Sequence, residues 1–342
     1  MDTTALCAPW DEGLLDTGDG HRIRFEQSGN PLGLPVLSLH GGPGSGARPR
    51  LRTFFDPARY RIVLFDQRGC GRSAPLGRIE HNTLAHLVAD IEALRRHLGI
   101  ARWLVCGGSW GACLALAYAT AHRNTCLGLL LRSVFLGTRE EIDWFFHGAR
   151  RVRPAAWEAF AAPAPPARRG DLLACYAEAV NDPDPARALT AAQRWRRWET
   201  ALGQPDAAPP DLPAAGSPEA TALIARYRVQ AHYLRHDCFI AAGGVLADAG
   251  RLAGLPVALV HGRADQVCRL QAARRVHAAL PGSRLYEVPD AGHDPFAHGM
   301  FAALYEAAAH FYVHGDFRGW DTDDEDVPSA TGTPRCQVHG FR

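Results

Sequence analysis

The chain predicts an α/β fold with a mostly parallel central sheet, helices on its flanks and a helical insertion. Three observations carry this. Over residues 20–133, short apolar runs that end in a polar residue alternate with segments of helical spacing. The same alternation returns from residue 256. Between them, residues 139–245 hold Trp144, Trp157, Trp195 and Trp198, many prolines and arginines, and helical patterns only. A strand–helix series with one interruption implies a single core plus a cap.

The elements follow in order. Residues 22–29 (RIRFEQSG) alternate weakly, like an edge strand. Residues 35–40 and 61–66 are short apolar runs that end in a polar residue, with glycine soon after (Gly41 and Gly69), the mark of a buried parallel strand with a loop at its C-terminal end. Residues 83–100 repeat Leu84, Leu87, Val88, Ile91, Leu94 and Leu98 at helical spacing, with Gly99 as the stop. A strand over 102–106, a helix over 112–123 and a strand over 127–134 come next. After the insertion the pattern gives a strand (256–262), a helix (270–280), a strand and loop (284–293) and a last helix (300–314). The expected domains are core 1–138, helical cap 139–245, core 246–314 and a tail 315–342. The acidic run DTDDED makes the tail a segment expected to be poorly ordered.

Composition narrows the function. The 342 residues carry 37 Lys+Arg against 36 Asp+Glu, so no general basic field draws nucleic acid or anionic lipid. No 18-residue uncharged apolar stretch occurs, and a membrane span is not expected. The first residues lack the basic and apolar regions of a signal peptide. Nine scattered cysteines with no C-x-x-C argue against a disulfide framework or a zinc site. Free thiols in a reducing, cytoplasmic setting are the expectation. Sequence does not specify an oligomeric state.

Gly107-Gly108-Ser109-Trp110-Gly111 is the most informative stretch. It fits G-x-S-x-G between a strand and a helix, the context of a nucleophile elbow. Small neighbours let strand and helix pass closely, and the hydroxyl stands outside the carboxyl ends of the strands. A serine nucleophile needs a base, and the base an orienter. In this arrangement the chain order is Ser, then Asp or Glu, then His. Asp265 follows one late strand and His293 the next, so both fall at the sheet edge that carries Ser109. His261 lies inside a strand, His298 beyond the loop, and Asp290 after the wrong strand, which leaves them as rivals of lower rank. Two donors must meet the oxyanion: the backbone N–H of Trp110, and Gly42 from the loop HGGPGSG (40–46). That loop lacks the Lys-Ser/Thr of a phosphate-binding motif.

With HGGPGSG, FDQRGCGRS (65–73), residues 82–100, GGSWG, LLLRSVFLG (129–137), HGRADQVC and AGHD on view, the chain closely resembles the proline iminopeptidases from about Gly18 to Tyr312. The resemblance implies the α/β-hydrolase fold and a serine aminopeptidase of the triad Ser109, Asp265 and His293. It implies no metal and no cofactor. The expected partner is a small peptide or aminoacyl amide with a free N-terminal amine. It also implies a pocket from Arg132, Phe135, Phe145 and Cys268, and an amine site of two cap carboxylates. One stands here as Glu199, in WRRWE. The other position holds Gln230, which supplies no charge. That departure keeps a second expectation alive: an esterase or amidase of the same fold acting on a specialised small-molecule acyl substrate. A dehalogenase or epoxide hydrolase would put Asp where Ser109 stands, and a non-catalytic binding module would not need every triad residue.

Overall fold

The computed structural model describes residues 7–204 and 210–320. Eight strands form one sheet in the order β1-β2-β4-β3-β5-β6-β7-β8. They are β1 (Asp11–Asp16), β2 (Arg22–Gly29), β3 (Leu34–Leu39), β4 (Tyr60–Phe65), β5 (Trp103–Gly108), β6 (Cys126–Arg132), β7 (Val257–Gly262) and β8 (Arg284–Val288). β1 and β2 pair antiparallel, as do β2 and β4. Every other pair is parallel. This is the α/β-hydrolase fold.

Side chains alternate across the parallel strands, so each strand feeds two cores. Leu37, Val63, Val105, Leu129, Leu131 and Leu259 face one way, toward α1 (Leu84–His97), α2 (Trp110–Ala121) and α8 (Leu270–Ala279). Val36, Ile62, Leu64, Leu104, Leu130 and Val260 face the other, toward α9 (His298–His314), which offers Met300, Leu304, Ala307, Ala308 and Phe311. A strand buried on both faces reads as a continuous apolar run, which explains the runs in the sequence.

Two expectations need correction. The segment 22–29 is not an edge strand: β1 covers it, and Arg24, Glu26, Gln27 and Ser28 are buried too. Glu26 is bound by Arg24 and Arg52, and Arg24 also reaches Glu12 at 2.5 Å. The alternation of apolar with polar residues therefore marks an ion-paired inner face, not a solvated one. β1 escaped notice because DEGLLD is itself half exposed at alternate positions and rich in acids. The tail also begins differently: Gly315 ends α9 at φ +70°, and Phe317 is buried against Phe311, their rings 4.9 Å apart. The acidic run at 321–326 and Cys336 lie outside the described residues.

Among the described residues, five α-helices lie between β6 and β7: α3 (Arg139–Phe146), α4 (Pro154–Ala161), α5 (Leu172–Val180), α6 (Pro185–Gly203) and α7 (Pro218–Arg235). Their starts are written in local chemistry. Thr138 and Glu141 form a reciprocal capping box for α3. Asp184-Pro185 and Ser217-Pro218 cap α6 and α7, with proline at the first helical position. The cap has its own aromatic core: the Trp198 ring stacks on Phe160 at 5.6 Å, and Trp195 meets Tyr176 and Tyr227. Among the described residues no helix is long and apolar enough to cross a membrane, and the eight described cysteines are unpaired.

Candidate active site

Ser109 sits between β5 and α2 at φ +57°, ψ −123°. A side chain at positive φ is strained and persists only where the surroundings hold it. The backbone of β5 continues its pairing into this residue, Ser109 N–H donating to the Arg132 carbonyl at 3.1 Å. Two glycines make the turn sterically possible. A Cβ on Gly107 would collide with the Gly111 carbonyl, and one on Gly111 would sit 2.5 Å from the Leu39 carbonyl oxygen. β3, β5 and α2 thus meet at van der Waals distance only because neither position carries a side chain. Gly108 is likewise covered by the Arg132 guanidinium.

The loop after β3 approaches the serine from the other side. A Cβ on Gly41 would lie 3.4 Å from that of Ser109, and Gly42 follows at φ +119°. His40 and Gln67 fix this loop. The Gln67 backbone N–H donates to His40 Nε2 at 3.0 Å, which leaves His40 Nδ1 to donate to the Gly41 carbonyl at 2.9 Å. Burial, first of all, pushes the His40 pKa down and keeps the ring neutral. The Gln67 amide donates to the His40 carbonyl and its oxygen accepts from the Trp110 indole, both at 2.9 Å. One glutamine therefore ties the loop of Gly42 to the residue after the serine. Sequence reasoning passed over His40 and Gln67; their polar side chains beside buried strands were the signal.

The strand ends of β7 and β8 bring an acid and an imidazole together. Ala264 N–H donates to the Ala291 carbonyl at 2.9 Å and Arg263 N–H to the Val288 carbonyl at 3.0 Å, stitching the two loops. His293 Nδ1 then lies 2.8 Å from Asp265 Oδ2. The other carboxylate oxygen accepts from the backbone N–H groups of Val267 and Cys268, each at 2.9 Å. Burial raises the Asp265 pKa, but His293, His261 and the Cys268 N–H outweigh it and hold the carboxyl below the ordinary aspartate value. Asp290, by contrast, is exposed. His261 is fully buried: its Nδ1 accepts from Val134 N–H at 3.2 Å and its Nε2 donates to the Cys268 carbonyl at 2.8 Å. His298 is the first residue of α9.

Among the described residues, the Ser109 hydroxyl's hydrogen-bond partner is the Cys268 thiol, at 3.7 Å. Burial pushes the Cys268 thiol pKa well up, so it stays protonated and does not compete as a nucleophile. Catalytic hydrogen bonds are often loose without substrate and tighten on binding.

The cap closes over this floor. Near the C-terminal end of α6, a Cβ on Gly203 would be 3.6 Å from that of His293. The α7 backbone at Arg226 presses on Gly44, and the Tyr233 ring meets that of Trp110 at 4.9 Å. Phe145 is buried in edge-on contact with Trp198, and Phe135 is half buried against the same core. Glu199 and Gln230 come together: the Gln230 amide donates to Glu199 Oε1 at 2.6 Å. Arg226 and Tyr227, which the motif reading missed, bind the other oxygen of Glu199 at 2.7 and 2.8 Å. A carboxylate flanked by buried aromatics needs such partners, and that requirement was the available signal. A cavity of about 600 Å³ opens beside the loop, lined by Gly44, Ser45, Leu212, Leu223, Arg196 and Arg226 among others. It borders the loop after β3 and does not include Ser109.

Comparison with known proteins places the chain. The family model of the α/β hydrolase fold matches residues 35–299. A probable proline iminopeptidase of Leptolyngbya boryana is 42% identical over 306 residues, 89% of this chain and 95% of that one. The proline iminopeptidase of Xylella fastidiosa (strain Temecula1) is 44% identical over 305 residues, 89% and 97% of the two chains. Among solved structures, a proline iminopeptidase of Mycobacterium smegmatis superposes with a TM-score of 0.60 at 18% identity, covering 90% of this chain and 100% of that one. An esterase from Rhodococcus sp. ECU1013 gives 0.56 at 20% identity, covering 89% and 98%. At such identities the structural likeness speaks for the fold alone.

Proposed function

Because the chain belongs to the proline iminopeptidase family of α/β hydrolases, we propose that it is a serine aminopeptidase that releases an N-terminal proline or small residue from peptides and amides. The observation that carries the reading is the 2.8 Å contact of His293 with Asp265 after β7 and β8, at the same end of the parallel strands as the strained Ser109 elbow.

In this reading Ser109 attacks the carbonyl of the first residue. His293 takes the hydroxyl proton through Nε2, while Asp265 holds the tautomer with hydrogen on Nδ1 and stabilises the imidazolium. The Trp110 and Gly42 N–H groups receive the oxyanion, each worth about a hundred- to a thousandfold in rate. His293 then protonates the departing amine. Water, activated by the same imidazole, hydrolyses the acyl-enzyme. Phe135, Phe145 and Cys268 supply apolar walls for a pyrrolidine ring, with Arg132 beneath the elbow. Glu199 and Gln230 receive the amine end. A cytoplasmic setting fits the unpaired thiols.

The test is release of aryl amine from prolyl and alanyl arylamides, with fluorophosphonate labelling of Ser109 that disappears in Ser109→Ala. No release from either substrate, alongside turnover of amine-blocked analogues, would overturn the aminopeptidase reading. The esterase or amidase reading has one observation in its favour: Gln230 in place of a carboxylate. A preference for simple acyl esters over aminoacyl amides would decide for it.

A further inference from the structure

His261 is an imidazole beside the acyl-transfer centre that no step of the reaction uses. It is the penultimate residue of β7, four before Asp265, and it is fully buried. A buried imidazole must pair both ring nitrogens or lose stability, and both are paired with backbone here. Ser133 N–H donates to the Val260 carbonyl at 3.0 Å, and the next N–H, that of Val134, donates to His261 Nδ1 at 3.2 Å. The ladder between β6 and β7 therefore continues onto a side chain. With Nδ1 an acceptor, the ring hydrogen sits on Nε2, which donates to the Cys268 carbonyl at 2.8 Å.

Cys268 passes this anchoring to the reacting groups. Its N–H donates to Asp265 Oδ1 at 2.9 Å, and its thiol lies 3.7 Å from the Ser109 hydroxyl. One residue touches both the acid and the nucleophile, and His261 ties that residue to the end of β7. His261 Nε2 itself stands 3.8 Å from Asp265 Oδ2, beyond hydrogen-bond reach. That oxygen is engaged by His293 at 2.8 Å. The ring thus locates the acid without taking the oxygen that orients the base. Burial, above all, lowers the His261 pKa, and His293 and Arg132 add to it; Asp265 and the bond to Cys268 act the other way. The ring stays uncharged. A cation at this place would pair with Asp265, as Arg226 pairs with Glu199, and weaken its pull on His293.

We propose that His261 is a positioning residue of the catalytic centre: by holding the Cys268 carbonyl it fixes the acid loop, and with it the Asp265 carboxylate against His293. The proposal rests on the acyl-transfer reading above and adds no step to it. A displacement of about 1 Å at such a site costs about a hundredfold in rate.

The test compares His261→Phe, which keeps an uncharged ring but removes both hydrogen bonds, with His261→Gln, whose amide offers an acceptor and a donor. The substrate is a prolyl arylamide, or whichever acyl ester or amide the wild type prefers. In His261→Phe, kcat is expected to fall about a hundredfold with KM within about threefold of wild type, and His261→Gln to recover about tenfold of the loss. Fluorophosphonate labelling of Ser109 should slow in step. A proton spectrum separates positioning from folding. The far-downfield signal of the hydrogen between His293 and Asp265 should be present in the wild type, lost in folded His261→Phe and restored in His261→Gln. Full kcat, or an unmoved downfield signal, in folded His261→Phe overturns the proposal alone. Should that variant not fold, the wild type decides: the ring-nitrogen NMR shifts of His261 must show hydrogen on Nε2 and no titration across the pH range of activity, and an imidazolium there is fatal. A wild type whose Ser109 resists the fluorophosphonate removes the acyl-transfer reading and this proposal with it.

Discussion

The sheet side and the cap side of the site hold their carboxylates in opposite ways. Asp265 is met by two backbone N–H groups and by an imidazole that can gain and lose a proton. Glu199 is met by a phenol, an amide and a guanidinium that cannot. Both acids are satisfied, but only the first has a partner whose charge can change during a reaction. The difference teaches that an acid takes part in proton transfer through a neighbour whose charge can change, whereas an arginine partner fixes a carboxylate's charge and position for binding.

Substitutions can break or sharpen that contrast. The largest expected effect is Ser109→Ala, which should lower kcat by about a millionfold with an unchanged thermal midpoint. Asp265→Asn should follow at about ten-thousandfold in kcat with little change in KM, because asparagine favours the wrong imidazole tautomer. A loss below tenfold would remove Asp265 from the proton-transfer chain. On the cap side Glu199→Gln should raise KM for aminoacyl amides with little change in kcat, and should also cost about 3 kcal/mol in urea unfolding, since it strands the Arg226 charge. The double variant Glu199→Gln/Arg226→Gln should recover most of that loss. A fully additive result would mean the pair is not coupled.

Gln67→Ala tests whether positioning on the sheet side is as stiff as the geometry implies. It frees the Trp110 indole and the loop of Gly42, and kcat should fall about tenfold or more while KM holds. The smallest effect calibrates the others. Glu92, on α1, is bound by Arg95 and Arg96, and the Arg95 hydrogen bond above all lowers its pKa from 4.5 to about 2. A depressed folded pKa contributes stability above the unfolded value and loses it as pH falls from about 4.5 toward 2. Glu92→Gln should therefore flatten the acid limb of a urea-unfolding series by about 2 kcal/mol and leave activity alone. Asp265, also depressed, loses stability in the same direction.

Much of this was legible in the chain. The elbow was, because close passage of β5 and α2 demands glycine on either side of Ser109. The relation of Asp265 to His293 was, because successive strand ends meet at one rim. The helical character of residues 139–245 was, because their apolar residues recur at helical spacing, though the caps Asp184-Pro185 and Ser217-Pro218 that start α6 and α7 went unread. What was hidden depended on partners from distant segments. Glu199 stands in a recognisable motif on α6, but its neutralising arginine comes from α7. The inner face of β2 reads as solvated, because Arg52 pairs with Glu26 from 26 residues away. β1 hid for the opposite reason: it packs so little that no hydrophobic period develops.

That sparse outer strand has a consequence for how copies of the molecule behave together. An open sheet edge is a template on which another chain can grow, and a formal charge of +1 gives little overall repulsion. Asp11, Glu12 and Asp16 put acids along β1, so a second β1 laid against the first would set like charges side by side. The short acidic strand that adds least to the core is the part of the fold that resists aggregation at this edge.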